Sequence, residues 1–366
     1  MKFSLPSISA LFTKAPTSVL GVDIGTSSIK IVQLRRERGR VVLETYGAIA
    51  LGPYGGVEIG RATALPSEKI VEALKDVIRE ANVTTKSAAV SIPYSSSLIS
   101  ILKLPAAVEK QLAQVVPMEA RKYIPVPINE VELDWFVVGG GGKTAPKDQI
   151  EVLMVAIHND TIAKFRSMAS DANLEVKFFE IEVFSSVRAS LDHGIAPVAV
   201  VDMGAATTKF YVVERGLIHE SHIISHGSQE LTLSAAHALN ISVTEAEEWK
   251  RRFGLGETPN TTTTQGEFKK SLELSLTPLF SELSRTIVAY ETRMNQSIDT
   301  VVLTGGGATL KGMKDFAVAH MQSDVRLADP FGKTESPAFL EAILREAGPE
   351  FSVAVGLALR GLQEGE

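Results

Sequence analysis

Val19-Leu-Gly-Val-Asp-Ile-Gly-Thr-Ser-Ser-Ile-Lys-Ile-Val-Gln-Leu34 recurs within the same chain as Val198-Ala-Val-Val-Asp-Met-Gly-Ala-Ala-Thr-Thr-Lys-Phe-Tyr-Val-Val213. Val19, Val22, Asp23, Gly25 and Lys30 match Val198, Val201, Asp202, Gly204 and Lys209. Each copy reads as an apolar β-run, an Asp-x-Gly turn with small or hydroxyl residues, and a second β-run. A third glycine turn follows another apolar strand in Thr300-Val-Val-Leu-Thr-Gly-Gly-Gly-Ala-Thr-Leu-Lys-Gly-Met313, with a helix expected from near Leu310.

The chemistry of the three turns converges on a nucleotide. Glycine lets the backbone approach phosphate oxygens without a Cβ in the way, and turn N–H groups form an anion-binding concavity. Gly25, Thr26, Ser27 and Gly204 are the expected points of close approach, and Ser27, Ser28, Thr207 and Thr208 could add hydroxyl donors. Asp23 and Asp202 are candidate holders of a hydrated Mg²⁺. Gly305, Gly306 and Gly307 would admit a base or ribose against the backbone.

Composition bounds the alternatives. The 366 residues suggest two or three domains, and 45% apolar with 22% charged residues describes a folded protein. A net charge of −6 argues against broad electrostatic binding to nucleic acid. The absence of cysteine excludes disulfides, thiolate nucleophiles and cysteine-ligated zinc. No apolar run reaches the ~18 residues of a membrane span. Residues 1–16 read as a flexible tail, with a weak surface anchor through Phe3, Leu5, Ile8, Leu11 and Phe12 as the alternative.

Three tempting signals are set aside. Gly139-Gly-Gly-Gly-Lys-Thr144 lacks the first glycine of a P-loop and leads into Ala-Pro and a strand, so it reads as a flexible hairpin loop. His219, His222 and His226 have helical metal-ligand spacing, but their segment reads as a strand, where 219 and 222 face opposite ways. Thr261 to Thr264 read as a solvated polar loop.

The ordered motifs resemble those of the actin/Hsp70/sugar-kinase superfamily, whose duplicated halves close over ATP. Gly21–Thr26 is similar to its first phosphate motif, Val201–Thr208 to its second and Leu303–Ala308 to its adenosine motif. Glu180–Ala189 and Phe351–Leu359 stand where its two connecting helices belong. The resemblance implies an α/β fold: an actin-like ATPase fold of duplicated ribonuclease-H-like halves. It also implies a small inserted α+β (SHS2-like) domain: strands Ser87–Pro93 and Leu98–Leu104, a helix over Glu109–Lys122 with Pro117 inside, strands Val131–Val138 and Ile150–His158, and a helix over Thr161–Ala172. The expected organisation is a first half of 17–85, 169–197 and 340–366, with the insert at 86–168. The second half comprises 198–228 and 300–339, and a helical subdomain occupies 229–299.

Such an insert resembles that of the FtsA and PilM families, and Glu119-Ala-Arg-Lys-Tyr-Ile-Pro-Val-Pro127 is similar to a stretch of the PilM family specifically. Gly227–Thr232 and Glu245-Ala-Glu-Glu-Trp-Lys250 are also similar to motifs of both. By that correspondence Glu247 and Lys250 are nucleoside contacts, and Lys30 joins the phosphate site. The chain stops after the second connecting helix, where FtsA continues to a membrane helix, which favours the PilM family. The resemblance implies a cytoplasmic ATP- and Mg²⁺-binding adaptor of type IV pilus assembly, held at the inner membrane indirectly. Its partner would be the N-terminal cytoplasmic tail of a PilN-like membrane protein, docked around Pro93, Leu104, Tyr123, Ile124 and Pro125. An FtsA-like division role and a small-molecule kinase are the alternatives. Asp202 and Glu182 are the candidates for orienting a hydrolytic water. Relatives usually carry a richer glycine run and then a carboxylate in the second phosphate turn. Here Lys209 either reaches toward phosphate or points away along its strand, so slow hydrolysis is expected.

Overall fold

The computed structural model describes residues 18–138, 148–192, 194, 196–256 and 263–363. The tail at 1–16 and the glycine-rich loop at 139–144 lie outside them, as do Thr261 and Thr262.

Each repeat copy folds as an antiparallel hairpin, β1 (Ser18–Ile24) with β2 (Ser28–Glu37) and β9 (Val198–Met203) with β10 (Thr208–Glu214). The hairpins continue into β3 (Arg40–Ala50) and β11 (Leu217–Ile224). Both continuations turn through the same dipeptide, Arg38-Gly39 and Arg215-Gly216, with positive φ at both positions. That geometry is the two-residue turn matching the right-handed twist of the strands. β4 (Ser87–Ile92) and β12 (Thr300–Thr304) then pair in parallel with the first strand of each half. β8 (Glu175–Ile181) and β13 (Asp324–Leu327) complete two five-stranded sheets of the same order, β3-β2-β1-β4-β8 and β11-β10-β9-β12-β13. The duplication seen in sixteen-residue runs therefore extends to the topology of both sheets.

The helices that follow the third strand differ between the halves. In the first half α1 (Ser67–Glu80) lies between β3 and β4, with Val71, Leu74 and Val77 in the core. In the second half that connection is expanded into α5 (Ser228–Leu239), α6 (Val243–Arg252) and α7 (Thr263–Met294). α7 buries Phe268, Leu272, Leu276, Phe280 and Leu283 against β9, β10 and β12. Its start at Thr263 corrects the polar-loop reading for Thr263 and Thr264.

Between β4 and β8 the first half carries the insert: β5 (Ser97–Pro105), α2 (Leu112–Ala120), β6 (Val131–Val138) and β7 (Gln149–His158). Its three strands form a separate sheet, β5-β7-β6, backed by α2. Two boundaries of the expected insert are corrected. Ser87–Ile92 is a strand of the first large sheet, and α3 (Asn159–Asp171) packs Phe165, Met168 and Ala169 into the core of that half. The expected helix at Glu109 begins only at Leu112, after a 3-10 segment over Ala106–Gln111.

α4 (Glu182–Ser190) connects the halves, and α10 (Ser352–Gln363) packs across β1, β2 and α4. Glu180 and Ile181 end β8 rather than start α4. α8 (Met313–His320) begins three residues after Leu310, because Gly306–Thr309 forms a 3-10 turn first. α9 (Glu341–Ala347) closes one side of the space between the sheets.

Candidate functional site

The equivalent hairpin turns point into one cleft of about 960 Å³. Each is closed by the same hydrogen bond: Gly25 N–H donates to Ser28 O at 3.0 Å, and Gly204 N–H donates to Thr207 O at 3.0 Å. Among the described residues, the N–H groups of Thr26, Ser27, Ala205 and Ala206 have no backbone acceptor. They line the cleft as the donors that an anion would take. Ser28 Oγ receives the Lys30 ammonium at 2.9 Å.

Of the three successive glycines, only Gly306 faces open cleft. A Cβ there would meet nothing nearer than the Glu350 Cβ at 4.0 Å, which is space a flat ring could use. Gly305 has φ +82°, and a Cβ on it would lie 2.4 Å from Asp202 Oδ1. Gly307 backs onto Met203. Protein packing therefore requires glycine at these two positions, which also line the cleft.

Glu247 and Lys250 line the cleft from α6 and are buried. Glu247 pairs with Lys250 at 2.7 Å and Arg251 at 2.8 Å, and accepts from Thr232 Oγ1 at 2.7 Å. Burial alone would raise its carboxyl, but Lys250 and those hydrogen bonds hold it below the usual range. Lys250 also donates to Ser228 O at 3.1 Å and Thr232 Oγ1 at 2.8 Å. This pair is a preorganised wall, unlike an exposed ion pair worth little.

Lys209 points into the cleft. It sits opposite Asp202 in the β9–β10 register, and its Nζ lies 3.3 Å from Asp202 Oδ2 and 2.8 Å from Glu182 Oε2. Burial would lower its pKa, yet the Asp202 and Glu182 carboxylates override that and keep the ammonium charged. Glu182 also accepts the Tyr94 N–H at 2.7 Å, so it ties the cleft floor to the root of the insert.

Asp23 is buried and accepts from Ser91 Oγ at 2.9 Å. Burial lifts its carboxyl to about 6 against the pull of Lys30. Between roughly pH 4 and 6 the folded protein therefore holds a proton that the unfolded chain has released, and stability falls as pH rises through that window. Thermal melts should show Asp23→Asn gaining about 2–3 kcal/mol on wild type at pH 8 and almost nothing at pH 4. A difference that stays constant with pH would contradict the buried, ionised carboxylate.

Several expectations are corrected by this geometry. Thr208 is fully buried, and its hydroxyl donates to His226 O at 2.7 Å, so it is not a phosphate donor. Asp202 does not fit a metal-holding role, because Lys209 already occupies it and Glu182 together. Among the described residues no group of three or more His, Cys, Asp or Glu side chains is placed to hold a metal ion. The three histidines were not expected to bind metal: His219 and His222 lie in strand β11, where His222 meets Glu282 at 3.3 Å, and His226 follows the strand. In the insert, Leu104 and Ile124 are core residues packed with Val116 and Met154. Tyr123 and Pro125 remain at the surface, whereas Pro93 lines the cleft. Gly60 and Gln229 were not anticipated. Gly60, with φ +89°, abuts the Glu247 carboxylate, and Gln229 Oε1 accepts the Ala62 N–H at 3.1 Å. The Gln229 bond joins the two halves, Gly60 leaves room for the Glu247 carboxylate, and no local motif signals either.

A family model described as Type IV pilus assembly protein PilM matches residues 21–362. The chain belongs to the PilM family. FtsA from Helicobacter pylori (strain J99) is 27% identical over 241 residues, covering 60% of this chain and 48% of that protein. The chain thus spans about half the length of this relative. Among solved structures, it is similar to the PilM-PilN type IV pilus biogenesis complex at a TM-score of 0.77 and 23% identity, covering 94% of this chain and 98% of that one. MreB5 of Spiroplasma citri bound to AMPPNP follows the fold at a TM-score of 0.55 and 11% identity, covering 96% and 99%. The fold of this PilM-family chain is that of the actin-like ATPases.

Proposed function

We propose that this PilM-family protein binds ATP in the cleft and acts as a cytoplasmic adaptor of type IV pilus assembly. The observation that carries the nucleotide reading is the convergence of both Asp-x-Gly turns, Gly306 and the Glu247–Lys250 pair on one cleft. Thr26, Ser27, Ala205 and Ala206 would hold phosphates through N–H groups, with Lys30 as a counter-charge. Gly306, Glu247 and Lys250 would border the nucleoside. ATP would contribute its polyphosphate charge as a bridge between the two halves.

Family membership supports the adaptor role, and the solved PilM-PilN complex supports a PilN-like membrane protein as the partner. The partner's cytoplasmic N-terminal tail would dock on the insert, where Tyr123 and Pro125 are exposed. Among the described residues no helix is long and apolar enough to cross a membrane, and attachment is assigned to that tail. Protein immobilised on beads should retain a synthetic PilN-type tail peptide and lose it on Tyr123→Ala. Sedimentation with protein-free liposomes as strong as with native membranes would contradict partner-based recruitment.

Hydrolysis is expected to be slow. A water-orienting carboxylate must be available to the water, and Asp202 and Glu182 both spend oxygens on Lys209. Steady-state turnover should fall far below the ~10 per second typical of working enzymes. Turnover at that rate would favour a kinase-like enzyme instead.

A further inference from the structure

We infer that the Lys209 ammonium takes the place of a divalent cation, so that this cleft binds a nucleoside polyphosphate without requiring Mg²⁺. The inference rests on the nucleotide reading and concerns how that same site balances charge.

The geometry carries it. A divalent cation in a phosphate cleft is held by carboxylate oxygens and its own waters in near-octahedral geometry. Here the oxygens that face the phosphate turns from the second half belong to Asp202 and from α4 to Glu182. Lys209 Nζ stands within hydrogen-bond distance of Glu182, at 2.8 Å, and within ion-pair distance of Asp202, at 3.3 Å. Its side chain is 13% exposed, and the two carboxylates are 14% and 8% exposed, so the triad is enclosed rather than a mobile surface arrangement. The placement is built into the hairpin, since Lys209 is directly across from Asp202 in the strand register. Lys30 stands in the same register position opposite Asp23, on the other wall.

Charge bookkeeping at the cleft floor points the same way. Asp23, Glu182 and Asp202 are three acids, and Lys30 and Lys209 are two fixed cations. Bringing a cation to Asp202 would require displacing an ammonium that both acids stabilise. Bringing a polyphosphate beside Lys209 instead offers the ammonium a third acceptor, within its three-donor capacity. An ammonium is a point charge suited to phosphate, but it activates no water, in keeping with slow hydrolysis.

The test is calorimetric titration of ATP into the intact protein, once in excess Mg²⁺ and once in EDTA, repeated with Lys209→Gln. Wild type is expected to bind with affinities within about threefold of each other under the two conditions. Lys209→Gln, with two unpaired acids exposed to the ligand, is expected to bind at least tenfold more tightly with Mg²⁺ than without. Wild-type binding that weakens tenfold or more in EDTA would overturn the inference while leaving the nucleotide site standing. No binding under either condition would overturn the site itself, and the inference with it. The wild-type comparison decides the matter even if the variant does not fold.

Discussion

Glu180→Ala is expected to cost about 3–5 kcal/mol of folding stability, the range for removing one partner of a buried ion pair. Glu180 is 5% exposed at the end of β8. It accepts two bonds from Arg188 of α4, both at 2.7 Å, and one from Arg360 of α10 at 2.7 Å, with a further bond from Ser185. Burial alone would raise its carboxyl, but Arg188, Ser185 and Arg360 hold it below the usual range. Alanine would leave two guanidinium groups facing each other where β8 and both connecting helices meet. Because the lowered carboxyl stabilises only while ionised, this contribution is present above the ordinary glutamate pKa and fades as pH falls through the folded one. Urea unfolding of the variant at pH 7 and again in mild acid measures both effects, and a loss below about 1 kcal/mol at pH 7 would mean the cluster is not a structural node.

Gly356→Ala is the second large effect. A Cβ at Gly356 would lie 1.9 Å from Ser185 O and 2.5 Å from its carbonyl carbon. Across the same helix, a Cβ at Gly21 would lie 1.9 Å from Ala354 O. α10 is therefore seated backbone to backbone between β1 and α4, with no flexible side chain to give way. Overpacking ordinarily costs 1–3 kcal/mol, and with backbone on both sides about 3 kcal/mol or more is expected. Gly266→Ala is the matched control. It lies in α7 with nothing within 4 Å of a Cβ and should be neutral or stabilise by up to about 1 kcal/mol. Melting temperatures of the two variants that move together would contradict this packing.

The duplicated fold was legible because the Asp-x-Gly hairpin combines a local turn requirement with two β-runs, and a second copy makes the pattern specific. The reuse of Glu-Arg-Gly at 37–39 and 214–216 was equally visible in the sequence and marks the next turn of each half. Sheet membership was not legible at Ser87–Ile92. An apolar run followed by Pro93 announces a strand but not which sheet receives it. Strand alternation should have separated Thr208 from Thr207 and Lys209, and placed Leu104 with Leu102 on the core side of β5. The direction of Lys209 also follows from register, since residues directly opposite in a hairpin share a face, and the turn centre sets Asp202 against Lys209. The burial of Glu247 and Lys250 could not be read from their spacing. It depends on Thr232, Ser228 and Gly60, which come from other elements and from the opposite half.

The central claim is that ATP occupies the cleft between the two sheets, and titration of ATP into wild type and Gly306→Val side by side tests it most directly. Gly306 has no positive-φ requirement, and its missing side chain opens only onto the cleft, so valine should fill ligand space and spare the fold. The account predicts one saturable site on the wild-type chain and an affinity at least tenfold weaker in the variant. Equal binding by both proteins, or no binding by wild type, would contradict it.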